Sequence, residues 1–437
     1  MKLSLSAKKA IDILIKNGYK AYAVGGALRD GYLNRTVSDT DVTTSAMPDK
    51  VMQIFKEYKV IPTGLKHGTV TVIIDGENIE ITTFRIDANY VDNRHPEKVE
   101  FVSEVEKDLM RRDFTINAMA YNDDEGIVDP YGGQDDCNSK IIRAVGDPNQ
   151  RFTEDALRIL RALRFSSTLG FTIEKETAKA IIKHAHLLKN ISSERILVEL
   201  TKLLTGDYVE EVLIKFKRVI FTIIPELEGC NDFNQKSKYH AYDVYTHIVK
   251  SVSSCEKDRI ARFACLFHDI AKPNCYSVDN FGRGHFYGHP EKSAVIAENV
   301  LRRLKADNKT ISTIKELVKL HDVYIVPTRE QVKRFLSRYD IDFLRLLVKV
   351  RIADGMAHAP LYVSDRVNKS KEVLSIANDV ISSGECYTLK MLAVSGKDVE
   401  SVGLKGEQIK KALTKLLYGV IDGKYKNEKD SLLKVIK

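Results

Sequence analysis

The spacing of apolar positions divides this chain into a mixed first third and a helical remainder. Residues 6–18 carry apolar positions at helical spacing and end at Asn17-Gly18, and residues 20–26 (KAYAVGG) predict a strand running into a glycine turn. A helix is expected over 27–33. Residues 38–45 (SDTDVTTS) alternate as a strand does, and Pro48 opens a further helix. Residues 69–75 (TVTVIID) and 79–85 (IEITTFR), joined through the turn DGEN, predict a hairpin. Residues 86–98 (IDANYVDNRHPEK) are polar and predict a mobile loop. From about 151 the pattern is helical almost throughout, with the clearest helices at 153–167, 174–188, 193–204, 243–254, 258–270, 291–305 and 308–321. From about 388 the tail is lysine-rich and helical. The fold class expected is an α/β head, a mixed sheet with helices, followed by a mostly α-helical body.

Composition narrows this picture only a little. The 437 residues exceed one average domain, and 43% apolar content is ordinary for a chain that buries its cores. A net charge of +8 suits a polyanionic partner such as RNA, and equally suits a basic protein with no such partner. The cysteines at 137, 230, 255, 265, 275 and 386 form no CxxC pair, so neither a zinc ribbon nor a disulfide framework is indicated. The first twenty residues lack the apolar core of a signal peptide, and no run is long enough to span a bilayer. A cytoplasmic protein with no membrane partner is expected.

Chemistry enters at three places in the head. Gly25-Gly26-Ala27-Leu28-Arg29-Asp30 lies between a strand and a helix. Glycines there let backbone N–H groups approach a phosphate, and Arg29 adds a charge-assisted bond; a merely structural glycine turn would look the same. In Asp39-Thr40-Asp41 the two carboxylates stand at i and i+2 of a strand and face one way. Their repulsion calls for a cation, and Mg²⁺, which takes hard oxygen ligands and substrate phosphates, suits the pair. Glu80 on the hairpin supplies a third carboxylate, able to accept the proton of an attacking hydroxyl. A lone DxD is usually a solvated strand face, but with the glycine turn and Glu80 it suits phosphoryl transfer by two metal ions.

Two further segments suggest how a nucleotide is held. Arg112, Asp113 and Asn117 lie in RRDFTINA (111–118): Arg112 can bind a triphosphate, while Asp113 and Asn117 can contact a ribose or buttress the site. In EDALRILRALR (154–164), Asp155, Arg158, Arg161 and Arg164 step by three, so on one helix consecutive members are neighbours. A carboxylate beside a guanidinium complements the amino donor and ring-nitrogen acceptor shared by cytosine and adenine, and opposes uracil and guanine. An Asp155–Arg158 pair would therefore select CTP and ATP without a template. A solvated arginine face or a salt-bridge ladder is the plainer alternative.

In order and spacing, GGALRD (25–30), SDTDVTT (38–44), RRDFTINAMAYN (111–122), DPYGGQDD (129–136) and EDALRILRALRFSSTLGF (154–171) resemble the class II tRNA nucleotidyltransferases, the CCA-adding enzymes, and their bacterial poly(A) polymerase relatives. The resemblance covers about residues 15–230. It implies that Asp39 and Asp41 hold Mg²⁺, that Gly25, Gly26, Arg29, Arg112 and Asp113 lie at the nucleotide, and that Asp155 and Arg158 read the base with support from Arg161 and Arg164. It implies a nucleotidyltransferase head (1–145), a helical neck (146–230), a body (231–366) and a basic tail (367–437), with tRNA, CTP and ATP as partners. YVDNRHPEKVEF (90–101) looks like the flexible loop of members that add the terminal A. Full CCA addition is therefore expected, with A-only addition or poly(A) synthesis as alternatives.

Downstream, His247, His268-Asp269, His289, His321 and Asp354 resemble the HD phosphohydrolase superfamily, which implies a second metal site. Mixed imidazole and carboxylate ligands suit Mg²⁺ or a transition metal without choosing among them. A hydrolase with a degenerate head is thus an alternative from another class. His67, His95, His184, His186 and His240 match neither motif and receive no role.

Overall fold

The strand Ala21–Val24 (β1) is buried along its length, and its residues alternate between two cores. Ala21 and Ala23 pack with Ala7 and Leu14 of the helix Leu5–Lys16 and with Val42, Phe55 and Ile81. Tyr22 and Val24 pack instead with Phe84, Val105, Leu109 and Ala118. A strand apolar on both sides belongs to a sheet covered on both faces. The strands that follow it up to residue 128 are Asp41–Thr44 (β2), Lys59–Gly64 (β3), Thr69–Ile74 (β4), Glu77–Thr83 (β5), Arg85–Tyr90 (β6), Pro96–Phe101 (β7), Ala120–Asn122 (β8) and Gly126–Val128 (β9). Seven of these nine form one mixed sheet in the order β3-β4-β5-β2-β1-β8-β9. β2 and β5 are parallel neighbours; the remaining pairs are antiparallel. The register places Val24 opposite Asp41 and Val42 beside Ile81. Asp41 and Glu80, each one residue before that second pair, therefore emerge at the same end of adjacent strands.

The computed structural model describes residues 3–37, 40–90, 96–237 and 239–436. Contacts divide the chain into two units, Met1–Pro225 and Glu226–Lys437. The first holds the sheet and the helices Pro148–Glu154, Leu157–Leu169, Lys175–His184 and Ser193–Leu204; the second is almost wholly helical. The tail has a small core of its own, Leu392, Val394, Leu416, Leu417, Ile421 and Leu432. The helix Pro360–Ser382 runs unbroken through position 366. Among the described residues no helix is long and apolar enough to cross a membrane, and all six cysteines are free thiols.

Three expectations change. The predicted strand over 38–45 begins only at Asp41, while Ser38 and Asp39 lie outside the described residues. The polar stretch 86–98, expected to be a loop, contributes to the antiparallel pair β6–β7. Backbone pairing needs no apolar side chains, and Phe101 anchors this ribbon against Gly68, where a Cβ would lie 2.6 Å from the ring. Residues 91–95 of that call lie outside the described residues. The single helix expected over 153–167 is two helices that meet at Asp155, whose backbone is extended (φ −136°, ψ 100°). Asp147 and Pro148 start the first helix earlier than expected. The Asp155 carboxylate then accepts the Leu157 N–H, a local bond that competes with the helical ladder.

Candidate active site

The turn after β1 lies where Asp41 and Arg112 meet, while Asp39, predicted beside Asp41, lies outside the described residues. Gly25 has φ +78°, a conformation that side chains disfavour. A Cβ there would lie 3.4 Å from Arg112 Nη1 and 3.5 Å from Asp41 Oδ2, so the bend, the guanidinium and the carboxylate meet at one point. Beside it opens a cavity of about 720 Å³ lined by Gly26, Arg29, Asp41, Glu80 and Arg164, with Arg35 and Lys202 among its other walls. Hard carboxylate oxygens and several cations thus face one space. That donor set fits a divalent ion and the phosphates it would carry.

Internal carboxylates hold the guanidiniums. Arg112 Nη2 lies 3.4 Å from Asp108, which also takes Arg111 Nε at 2.9 Å and has no exposed side-chain surface. Burial opposes ionisation of Asp108, but Arg111 and Arg112 prevail and keep its pKa below the ordinary value. Asp113 accepts Arg161 Nε at 2.7 Å, Asn117 Nδ2 at 3.0 Å and the Phe114 N–H at 2.9 Å. Against the cost of burial, Arg161, Asn117 and Arg158 hold its carboxyl well below the usual range. Asn117 in turn accepts Arg29 Nη1 at 2.8 Å. The result is a chain of bonds from Arg161 through Asp113 and Asn117 to Arg29 at the cavity wall. The bonds of Asp113 are internal and its exposure is 7%.

Arg29, Arg161 and Arg164 surround one ring: their guanidinium carbons lie 4.9, 5.4 and 4.1 Å from the Phe165 centroid. Burial, then the neighbouring Arg161, press Arg164 down to about 10 against the pull of Glu199, which takes its Nη1 at 3.2 Å. Positive charge is crowded here in a way that a bound polyanion would relieve. The proposed base-reading pair is not closed. Arg158 donates to Glu154 at 3.0 Å and to the carbonyls of Arg151 and Arg111, while Asp155 lies at the helix break with Arg195 Nη2 at 3.9 Å. Sequence reasoning missed Asp108 and Glu199; Asp108 stands at helical spacing from Arg111 and Arg112, which was an available signal, whereas Glu199 lies 35 residues from Arg164 and gave none.

In the second unit all six HD-like residues converge. His247 Nε2 lies 3.0 Å from Asp354 and 3.3 Å from Asp269 Oδ2, and His268 Nε2 lies 3.2 Å from both Asp269 Oδ2 and His247 Nε2. His289 and His321 approach the other oxygen, Asp269 Oδ1, at 3.2 and 3.7 Å. His358 and His240, neither given a role from the sequence, form a further group with His247. Local helix chemistry orients the rings. His268, His289 and His321 each place Nδ1 against the carbonyl three residues back, and His247 places its own against Ala357. A carbonyl only accepts, so Nδ1 carries the proton and Nε2 turns inward. The cluster lines a cavity of about 740 Å³ with Lys236, Lys272, Arg283 and Arg366 among its walls.

The sheet and the carboxylate-lined cavity define a nucleotidyltransferase-type head, and residues 21–143 match the family described as Poly A polymerase head domain. Residues 170–228 match the family described as "Probable RNA and SrmB- binding site of polymerase A", and residues 290–436 the family described as "tRNA nucleotidyltransferase domain 2 putative". The chain is 34% identical over 427 residues to the CCA-adding enzyme of Geobacillus sp. (strain WCH70), an alignment covering 97% of this chain and 94% of that protein. The chain belongs to the CCA-adding enzyme family. It is also similar to the CCA-adding enzyme of Anoxybacillus flavithermus, 48% identical over 222 residues, or 51% of this chain; there it spans about half (55%) of the relative's length. The crystal structure of the Bacillus stearothermophilus CCA-adding enzyme in complex with CTP superposes with a TM-score of 0.72 at 31% identity, covering 99% of this chain and 96% of that one. Family membership carries dependence on a divalent metal.

Proposed function

We propose that this protein adds C, C and A without a template to the 3′ end of tRNA in the cytoplasm, using CTP and ATP with Mg²⁺ and releasing pyrophosphate. The observation that carries the reading is the meeting of the Gly25 bend with Asp41 Oδ2 and Arg112 Nη1 beside a cavity walled by Arg29 and Arg164. Asp39 and Asp41 would hold Mg²⁺, which when bound neutralises the triphosphate and makes the 3′-hydroxyl more acidic. Arg29, Arg112 and Arg164 hold phosphate oxygens, Glu80 faces the same cavity as a proton acceptor, and the Phe165 cluster keeps the guanidiniums in place. Sequencing the ends of a tRNA transcript that lacks CCA, after incubation with CTP, ATP or both, tests this. CC with CTP alone and CCA with both are expected. Addition of A alone, a long A tract, or no addition would each overturn it.

Base choice follows from Asp155 and Arg158. Existing bonds use three of the five Arg158 donors and leave the others for a base edge. Arg158→Ala would also break those structural bonds, so Asp155→Asn is the cleaner test: it keeps an oxygen for the Leu157 N–H and removes the charge. The preference for CTP over UTP in kcat/KM should fall about tenfold to a hundredfold, the 1–3 kcal/mol scale of a bidentate base contact. Unchanged discrimination would remove this pair from base selection.

A second reading concerns the other unit, where the inward Nε2 atoms and two buried carboxylates favour a metal site of the HD type. It stands alongside nucleotide addition, because the head keeps its own cavity and cations.

A further inference from the structure

Two helices of the first unit give the head cavity a wall that nucleotide binding leaves unused. Thr168, on the helix Leu157–Leu169, and Lys202 and Thr205, at the end of the helix Ser193–Leu204, line the same space as Asp41 and Glu80. This wall is clamped in place. A Cβ on Gly206 would collide with Ser167 Oγ; Ser167 Oγ donates to the Leu203 carbonyl at 2.7 Å, and the Tyr208 N–H donates to the Ser167 carbonyl at 2.9 Å. The two helix ends therefore hold one another beside the three lining residues.

Hydrogen bonding decides what such a wall recognises. A hydroxyl has one proton to donate and two lone pairs. Thr168 Oγ1 donates to the Arg164 carbonyl at 2.9 Å, and Thr205 Oγ1 donates to the Thr201 carbonyl at 3.0 Å. With those protons committed, each oxygen is left to accept. A phosphate oxygen also accepts and finds no bond there, whereas a sugar hydroxyl does. Lys202 has the opposite character: its ammonium donates, is exposed, and has no ion-pair partner among the described residues. Arg29, Arg112 and Arg164 each carry a carboxylate instead, from Asp30, Asp108 and Glu199. An unneutralised cation beside two acceptors matches one phosphate and one ribose hydroxyl of an RNA strand.

Resting on nucleotide addition at the head, we propose that Thr168, Thr205 and Lys202 bind the last nucleotide of the tRNA acceptor end. The threonines accept from its ribose 2′-hydroxyl, and Lys202 holds its 5′ phosphate. The incoming nucleotide has its own cations around the Gly25 bend and Phe165. The strand that attacks it must bring a 3′-hydroxyl to the cavity of Asp41 and Glu80, and the 2′-hydroxyl is the neighbour of that group on the same ring. The wall thus selects an RNA end over a DNA end.

The test uses the full chain and a tRNA transcript lacking CCA, prepared with ribose or 2′-deoxyribose at its last nucleotide. No addition of CTP to the ribose end by the parent would overturn nucleotide addition itself, and this subsite with it. With addition intact, the deoxy end should lower kcat/KM for tRNA about fivefold to tenfold, the loss of one hydrogen bond. In the double variant Thr168→Val, Thr205→Val the ribose end should fall by a similar factor, and the deoxy end should lose little more. Thr205→Val alone serves if the double variant does not fold. Equal rates on the two ends in the parent would overturn the subsite. So would the same deoxy penalty in parent and variant, which would make it a matter of 3′-hydroxyl reactivity. A penalty on dCTP that vanishes in the variant would give the wall to the incoming nucleotide and likewise overturn the proposal. Lys202→Ala should lower kcat/KM for tRNA about fivefold or more at unchanged KM for CTP, with a shallower salt dependence, and Lys202→Arg should restore it. Lys202 also stands in the last turn of its helix, where a cation offsets the dipole. Lost stability with kcat/KM for tRNA unchanged would leave it that role alone and overturn the phosphate contact.

Discussion

Asp41→Ala is expected to slow nucleotide addition by about a thousandfold or more while leaving the fold and tRNA binding nearly unchanged. The carboxylate is exposed at the first residue of β2, so its removal creates no cavity. It stands 3.5 Å from the position a Cβ would take on Gly25, where the phosphate-bearing end of a nucleotide would meet Arg112. Losing one ligand of the metal costs about 4 kcal/mol of transition-state stabilisation on the scale of several kcal/mol typical of a bound cation, and each 1.4 kcal/mol or so is a decade in rate. Single-turnover addition of CTP to a tRNA lacking its 3′ end measures the effect, with a filter-binding assay for tRNA as the control. Asp41→Asn, which keeps the size and one oxygen, should rescue little because the charge is lost. Addition within tenfold of the parent in Asp41→Ala would remove the metal site from the head.

The sheet strands were legible where the signal was local. Asp75-Gly76 adopts positive φ at both positions, as a tight hairpin turn requires, so the dipeptide between two apolar runs located β4 and β5 correctly. The HD-like set was legible as residue types in order, although only the fold shows that Asp269 faces two ways. What stayed hidden was non-local. Helical spacing placed Asp155 on the face of its arginines, but its side chain takes the Leu157 N–H and breaks the helix there. A pattern that counts residues does not register that competition. Glu199 was invisible for a related reason: it pairs with Arg164, 35 residues away, and burial, not spacing, makes the pair matter. His240 and His358 lacked a motif and reach the histidine–aspartate cluster only through the packing of separate segments.

Asp113→Ala should lower the stability of the protein by about 3 kcal/mol, the low end for breaking a buried ion pair, because Arg161 keeps a third of its side chain in solvent. The same change unties Asn117 and, through it, Arg29, so nucleotide addition should fall together with stability. Asp113→Asn separates the contributions: it keeps an acceptor for the Phe114 N–H and loses the charge facing Arg161. The pH dependence has a definite sign. Burial raises the Asp113 pKa, but the Arg161 charge, Asn117 and Arg158 outweigh it and depress the folded value well below the unfolded one. The carboxylate therefore contributes stability that is present above its unfolded pKa of about 4 and lost as pH falls through the depressed folded value. Denaturant melts of the parent and Asp113→Asn should differ by a constant amount from about pH 5 upward and converge as the pH drops below 4. A gap that widens on acidification would mean that the Asp113 carboxyl is protonated in the folded protein and that Arg161 is held by something else.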